Sequence, residues 1–313
     1  MKTQWIAGLM AAAMAVSVPV CAEDSVSAAL KKSLTKQKVQ AVQQTNEGNT
    51  QETATATTSV SGAFTGSTPL VQYLYKAFST SPSSISVPTS LFSSKDMNER
   101  FEELGQACIE AYIQNGLTDY VTNFDYSYTS QNPNIIALNL TYNNSNTESR
   151  QAHFQALEQK AASIVASVTK PEMTEREKAQ ALSNYVAQNV KYDFAGFQRY
   201  QSGQNVYDLQ TAYAGLVRGS AICQGFARAY KLLCDKAGIP CIVVFGTTKQ
   251  FGTAHAWNRI KLDGKWETVD TSNPQLVINR IGSFCIPEDV VKNTLSPEAQ
   301  KTMVPSQAPN YID

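Results

Sequence analysis

The chain has 313 residues, room for two domains or for one domain with extensions. Its 42% apolar content supports a globular core, while only 17% of the residues are charged. Lys+Arg and Asp+Glu both number 26, so no net field favours nucleic acid or an acidic membrane surface as a partner.

Met1-Lys2 precedes an apolar run from Trp5 to Val20, interrupted by Gly8, Ser17 and Pro19. The run is short for a membrane span and suits a secretory leader. Val20-Cys-Ala22 sets small residues ahead of a cut after Ala22, so residues 1–22 read as a signal peptide and the product as secreted or extracytoplasmic. A lipid anchor on Cys21 is the rival reading, though Val20 is bulky for the position before such a cysteine. After signal removal no transmembrane segment is expected. Cys108, Cys223, Cys234, Cys241 and Cys285 then remain, and an odd set leaves at least one free thiol in an exported protein. Cys234 and Cys241 flank Gly238-Ile-Pro240 and either pair or pack as small buried hydrophobes.

Residues 23–68 are rich in Thr, Ser, Gln, Ala and Asn and read as a disordered linker. Pro69, with Thr68 as cap, opens a short amphipathic helix carrying Leu70, Leu74 and Phe78. A longer helix is expected near Lys95–Asn115, with Met97, Phe101, Leu104, Cys108 and Tyr112 on one stripe and Gly116 as its stop. Tyr120–Tyr128 and Ile135–Tyr142 alternate like strands around the turn cluster Ser130-Gln-Asn-Pro-Asn134, and 147–168 returns to helical spacing. Residues 69–170 thus read as a small α+β domain of unknown role, with His153 as an exposed helical side chain.

Pro171 marks a boundary, and residues 171–313 form the second domain. Thr174-Glu-Arg-Glu177 is a capping box, and Ala181, Leu182, Tyr185, Val186 and Val190 continue a helix from it. Residues 192–213 lack clear periodicity and read as a long ordered loop, the kind that forms the lip of a cleft.

Ser220 is placed to cap a helix from Ala221, which puts Cys223 in the first turn; Phe226, Ala227, Tyr230, Cys234 and Ala237 follow at helical spacing, with Gly238 as the stop. Unpaired backbone N–H groups at that end favour a thiolate and can hold an oxyanion. The bland alternative is a cysteine that packs in the core. Downstream, Ala254–Leu262 and Lys265–Thr271 alternate around Asp263-Gly264, a two-residue hairpin turn. That turn sets Leu262 opposite Lys265 and Trp257 opposite Asp270, with His255 one diagonal step from Asp270 on the same face. Diagonal neighbours lie about 7–8 Å apart, a gap that a His ring and an Asp carboxylate can bridge. A one-residue slip would separate them. Cys223, His255 and Asp270 therefore supply a nucleophile, a base and an orienting group for thiol catalysis. Trp257 and Gln224, beside the base and the nucleophile, are candidates for contacting substrate; packing is the alternative for the tryptophan. Metal ligation is the weaker reading, since Cys223 and Cys234 are not at ligand spacing and only His255 is near.

These residues resemble the transglutaminase-like superfamily, which has a papain-like catalytic fold. The resemblance rests on Glu177-Lys178 through Tyr192-Asp193, Ala221-Ile-Cys-Gln-Gly-Phe-Ala227, Gly238-Ile-Pro240, His255-Ala-Trp-Asn258 and Trp266-Glu-Thr-Val-Asp270. It implies an α+β fold in which the cysteine-bearing helix packs on an antiparallel sheet. It also implies nucleophile, base and orienting roles for Cys223, His255 and Asp270, and chemistry on amide bonds of proteins or peptides through a thioester, with no metal or organic cofactor. Animal crosslinking members carry Trp after the cysteine, where this chain has Gln224; in that respect it looks closer to bacterial exported members that act as peptidases or amidases. An exported thiol peptidase or amidase is the leading expectation. The alternatives are an amine-transferring crosslinker and a non-catalytic extracellular binding protein that keeps the fold.

Overall fold

The computed structural model describes residues 68–129, 131–247 and 254–272. The expected signal peptide, the linker as far as residue 67, Cys21 and Cys285 lie outside the described residues.

Helix α1 (Pro69–Phe78) starts as expected, with the Thr68 hydroxyl accepting from the Val71 N–H at 3.2 Å. Proline suits that first turn because its missing N–H would have had no helical acceptor. Helix α2 (Met97–Gln114) buries Phe101, Leu104, Cys108 and Tyr112, the anticipated stripe, and is capped by the Asp96 carboxylate. Both helices pack on a three-stranded antiparallel sheet of β1 (Ser84–Pro88), β2 (Val121–Tyr128) and β3 (Ile135–Tyr142), in the order β1-β3-β2. Strand β1 has no counterpart in the sequence reading. Its Ile85 and Val87 alternate inward between serines, and Pro88 is tolerated because it ends an edge strand.

Helix α3 (Thr147–Val168) and helix α4 (Glu175–Asn189) follow, the latter opening on the full reciprocal capping box of Thr174 and Glu177. Next come β4 (Lys191–Tyr192), α5 (Phe194–Gln201), β5 (Ser220–Ala221), α6 (Cys223–Lys236) and the sheet β6 (Cys241–Thr247), β7 (Ala254–Leu262), β8 (Lys265–Val269). Helix α5 lies where a loop was expected; the Asp193 carboxylate caps it through the Gly196 N–H at 2.6 Å. Helix α6 lies at the centre of a second core that joins Leu182 and Val186 of α4, Leu157, Ala161 and Ile164 of α3, and Ile260 of β7. The sequence reading groups α3 with the first domain, yet these buried side chains belong to the second core. His153 of α3 does not project freely into solvent. Its Nδ1 lies 3.1 Å from the Asp119 carboxylate and its ring stacks on Tyr213 at 4.0 Å.

The two cores meet through polar contacts. Among the described residues β6 ends its sheet, and Gln114 covers it as a strand would. Its Nε2 donates to the Val243 carbonyl at 2.9 Å, and its Oε1 accepts from the Val243 N–H at 2.8 Å. Fully buried Lys231 donates to Asp235 at 2.6 and 2.5 Å, and the Tyr75 hydroxyl reaches the same carboxylate at 2.8 Å. Arg228 donates to the Tyr112 carbonyl at 3.0 Å and lies over its ring. Helix α6 ends in a Schellman motif: Gly238, at φ 75°, donates to Asp235 O, and Ile239 donates to Cys234 O. Cys108, Cys223, Cys234 and Cys241 are free, buried thiols. Among the described residues no helix is long and apolar enough to cross a membrane.

Candidate active site

The position of Cys223 differs from expectation by one local detail. Ser220 does not cap α6. Ser220 and Ala221 pair in parallel with Lys191 and Tyr192, with Lys191 N–H on Gly219 O and Asp193 N–H on Ala221 O, and this holds the segment extended. The helix therefore starts at Cys223, with Ile222 as an N-cap that makes no side-chain bond. Being the first helical residue, Cys223 presents a backbone N–H that has no acceptor inside the helix. Gly225 is required by a close approach: a Cβ there would stand 2.6 Å from Leu209 O, and the same carbonyl accepts from Ile222 N–H. The chain before α6 is thus clamped against its first turn. The thiol is 7% exposed and lies among Ala227, Val243, Ala256 and the ring of Tyr192.

The hairpin register is the one the turn chemistry requires. Asp263 and Gly264 both have positive φ, 52° and 77°, as in a type I′ turn, and Leu262 pairs with Lys265 through to Asn258 with Val269. Asp270 follows the last paired residue, and its Oδ2 lies 2.7 Å from His255 Nε2. Its Oδ1 accepts from the Ser272 N–H at 2.9 Å and the Ser272 hydroxyl at 2.7 Å, so both carboxylate oxygens are occupied. Nε2 is thus committed to Asp270, and Cys223 is near enough to act on the imidazole as well. Burial opposes charging the imidazole, but Asp270 and then Cys223 outweigh it and push His255 up from 6.5 to about 10. Burial likewise opposes ionising Asp270. The His255 charge and the Ser272 donors overcome that and hold the carboxyl below its usual range.

Cys223, His255 and Asp270 are therefore brought together. Trp257 lies beside His255, ring centroids 5.9 Å apart, and is buried. Gln224 is buried as well. The Trp257 Nε1 and Gln224 Nε2 have no partner among the described residues. Asn258 of the His255-Ala-Trp-Asn258 stretch faces away from the base and ties β7 to α6 through Ala227 O at 2.9 Å.

Sequence reasoning did not assign Tyr192. Its ring packs against the small cluster formed by Cys223, Ala227, Val243 and Ala256. Burial first, and then the negative charge of Cys223 and Asp270, push that phenol well above its ordinary value. The position follows from the β4–β5 pairing, which sets Tyr192 opposite Ala221; the signal available in the sequence was a tyrosine ending a short extended segment after α4.

Residues 162–271 match the family model of the transglutaminase-like superfamily, and the chain carries a transglutaminase-like domain over that range. The fold is the expected α+β one, with the cysteine-bearing helix packed on an antiparallel sheet. Human kyphoscoliosis peptidase is 26% identical over 121 residues, covering 35% of this chain and 17% of the human protein. The mouse counterpart is 25% identical over the same length. The chain thus spans only 17% of the length of these curated relatives. Among solved structures, a TGase aligns with TM-score 0.36 at 21% identity, over 66% of this chain and 55% of the other. A candidate cysteine protease from Cytophaga hutchinsonii aligns with TM-score 0.30 at 12% identity, over 48% of this chain and 62% of that one.

Proposed function

We propose that this protein is an exported thiol enzyme that cleaves amide bonds of proteins or peptides through a thioester, a peptidase or amidase with Cys223, His255 and Asp270 as its reacting set. The observation that carries this reading is a thiol within reach of an imidazole whose far nitrogen is held 2.7 Å from a buried carboxylate. Export rests on the N-terminal leader alone. His255 already holds the proton as an imidazolium beside a Cys223 thiolate, and the thiolate attacks the substrate carbonyl. The Cys223 N–H and the Tyr192 hydroxyl, both as donors, hold the oxyanion. His255 returns the proton to the nitrogen as the C–N bond breaks, leaving a thioester and a free amine. Water, deprotonated by the same imidazole, then releases a carboxylic acid and restores the thiol. Asp270 orients the ring throughout. Trp257 and Gln224 are assigned to the substrate because each brings a buried donor with no partner among the described residues.

Mass spectrometry of a peptide library incubated with wild type and Cys223→Ala tests the reaction. Cleaved fragments or deamidated peptides are expected with wild type only. Incorporation of an added amine would shift the reading to transfer, and identical traces from both proteins would overturn it.

Tyr192→Phe keeps the ring against its neighbours and removes the hydroxyl. It is expected to lower kcat on the order of 10²-fold with little change in KM. Alkylation of Cys223 by iodoacetamide, which forms no oxyanion, should fall far less. If kcat stays at the wild-type value, Tyr192 only packs.

A further inference from the structure

We infer that the aromatic side chains of β4 and α5 form the subsite that receives a large apolar side chain on the acyl side of the attacked bond. The inference rests on the thiol-enzyme reading above.

Three observations converge on it. First, α5 is eight residues long and turns on a single buried residue, Gly196, so most of it does not serve the core. Second, its aromatic residues form a continuous ledge. Tyr192 lies 5.0 Å from Phe194 and 6.0 Å from Phe197, and Phe197 stacks with Tyr200 at 6.5 Å, all between ring centroids. Underneath, Val206, Leu209 and Ile222 are buried against Tyr192, Phe197 and Tyr200, which fixes the ledge on the clamp before α6. Third, the ledge begins at the nucleophile and ends in solvent. Tyr192 packs against the cluster that holds Cys223, and burial and then the Cys223 charge push the Tyr200 phenol up to about 12. At the outer end Phe194 is 59% exposed.

Among the described residues only Phe194 and Val217 are large exposed hydrophobics, and only Phe194 adjoins the candidate site. A phenylalanine held in water at the end of a ring cluster that starts on the nucleophile is explained by something that covers it during the reaction. The occupant follows from the same geometry. The leaving nitrogen must meet His255, which the sheet supplies, whereas the ledge comes from the β4–α5 side. The substrate chain on the carbonyl side therefore runs over the rings. Half-buried aromatic faces reward an aromatic or branched aliphatic side chain and offer nothing to a small or acidic one.

The test uses the full chain and peptidyl acyloxymethyl ketones that differ only in the residue next to the ketone: Phe, Leu, Gly, Asp or Lys. Each reacts when the thiolate displaces the acyloxy group as a carboxylate, forming a thioether that intact-mass measurement reads as a rate. Phe and Leu reagents should modify Cys223 at least about tenfold faster than Gly and Asp reagents. Phe194→Ser should bring that ratio toward unity, and Phe194→Asp should raise the rate of the Lys reagent relative to the Phe reagent. Phe194 is exposed, so both variants should melt near wild type. Equal rates for all side chains in wild type, or a Phe preference unchanged in Phe194→Ser, would overturn the subsite. Iodoacetamide run alongside separates the two failures. Slow alkylation of wild type sinks the thiol-enzyme reading together with the subsite. Rapid alkylation combined with indifference to the side chain removes the subsite alone.

Discussion

Replacing His255 with alanine is expected to lower kcat on the order of 10⁴–10⁶-fold, and to slow iodoacetamide modification of Cys223 at pH 7. In the proposed reaction the imidazole is the base for the thiol, and it is also the acid that must protonate the leaving nitrogen. Because Asp270 and Cys223 lift His255 to about 10 against the effect of burial, the ring carries its proton throughout the neutral range. The cation beside the sulfur is therefore present where the enzyme would work, and the substitution removes it. Wild-type and variant alkylation rates that coincide at pH 7 would exclude this role.

The same couple leaves a mark on stability, with a definite sign. A folded value raised above the unfolded one means that the His255 contribution is complete below 6.5 and is lost as pH rises toward about 10. Asp270 is held low, so its contribution is complete above the ordinary 3.8 and is lost as pH falls through the folded value. Denaturation midpoints of wild type and His255→Gln should differ most between about pH 4 and 6.5, and should converge as pH approaches about 10. A difference independent of pH would contradict the pairing.

Asp235→Ala should destabilise the protein by about 3–5 kcal/mol. Asp235 sits near the C-terminal end of α6, where the helix dipole disfavours a carboxylate, so local preference does not explain it. Its place is set by Lys231, which is 0% exposed, and by the Tyr75 hydroxyl from α1. Removing the carboxylate takes from a fully buried ammonium both oxygens to which it donates at 2.6 and 2.5 Å. In a chain of this size the loss corresponds to a fall in melting temperature of about 6–20 °C, readable by calorimetry. Lys231→Met with Asp235→Leu should recover most of it, because an apolar pair of similar volume avoids the desolvation of both ions. A single substitution that costs under about 1 kcal/mol would mean that the pair is solvated.

Features with a local signature were legible in the sequence. The Asp263-Gly264 turn alone predicts the register that brings His255 to Asp270, because two residues of positive φ leave one alignment of the flanking strands. The Thr174–Glu177 box, the Thr68-Pro69 start and the α2 stripe are local in the same way. What escaped depends on partners distant in the chain. Ser220 had the chemistry of a cap, but pairing with Lys191 claims its backbone for a strand. Tyr192 looked like one more aromatic until that same pairing set it against the Cys223 cluster. His153 had polar neighbours along its helix, while Asp119 and Tyr213, which decide its surroundings, come from elsewhere. Gln114 and Val243 stand 129 residues apart, and no periodicity announces such a contact.

That last contact bears on how the protein is assembled. An uncovered outer strand is an invitation to stray pairing, and a catalytic sheet made late in synthesis is most vulnerable while it is incomplete. Here the amide that mimics a neighbouring strand lies on α2 and leaves the ribosome well before β6. The outer strand of the later sheet thus finds a partner for the Val243 amide and carbonyl on a helix made earlier in the chain.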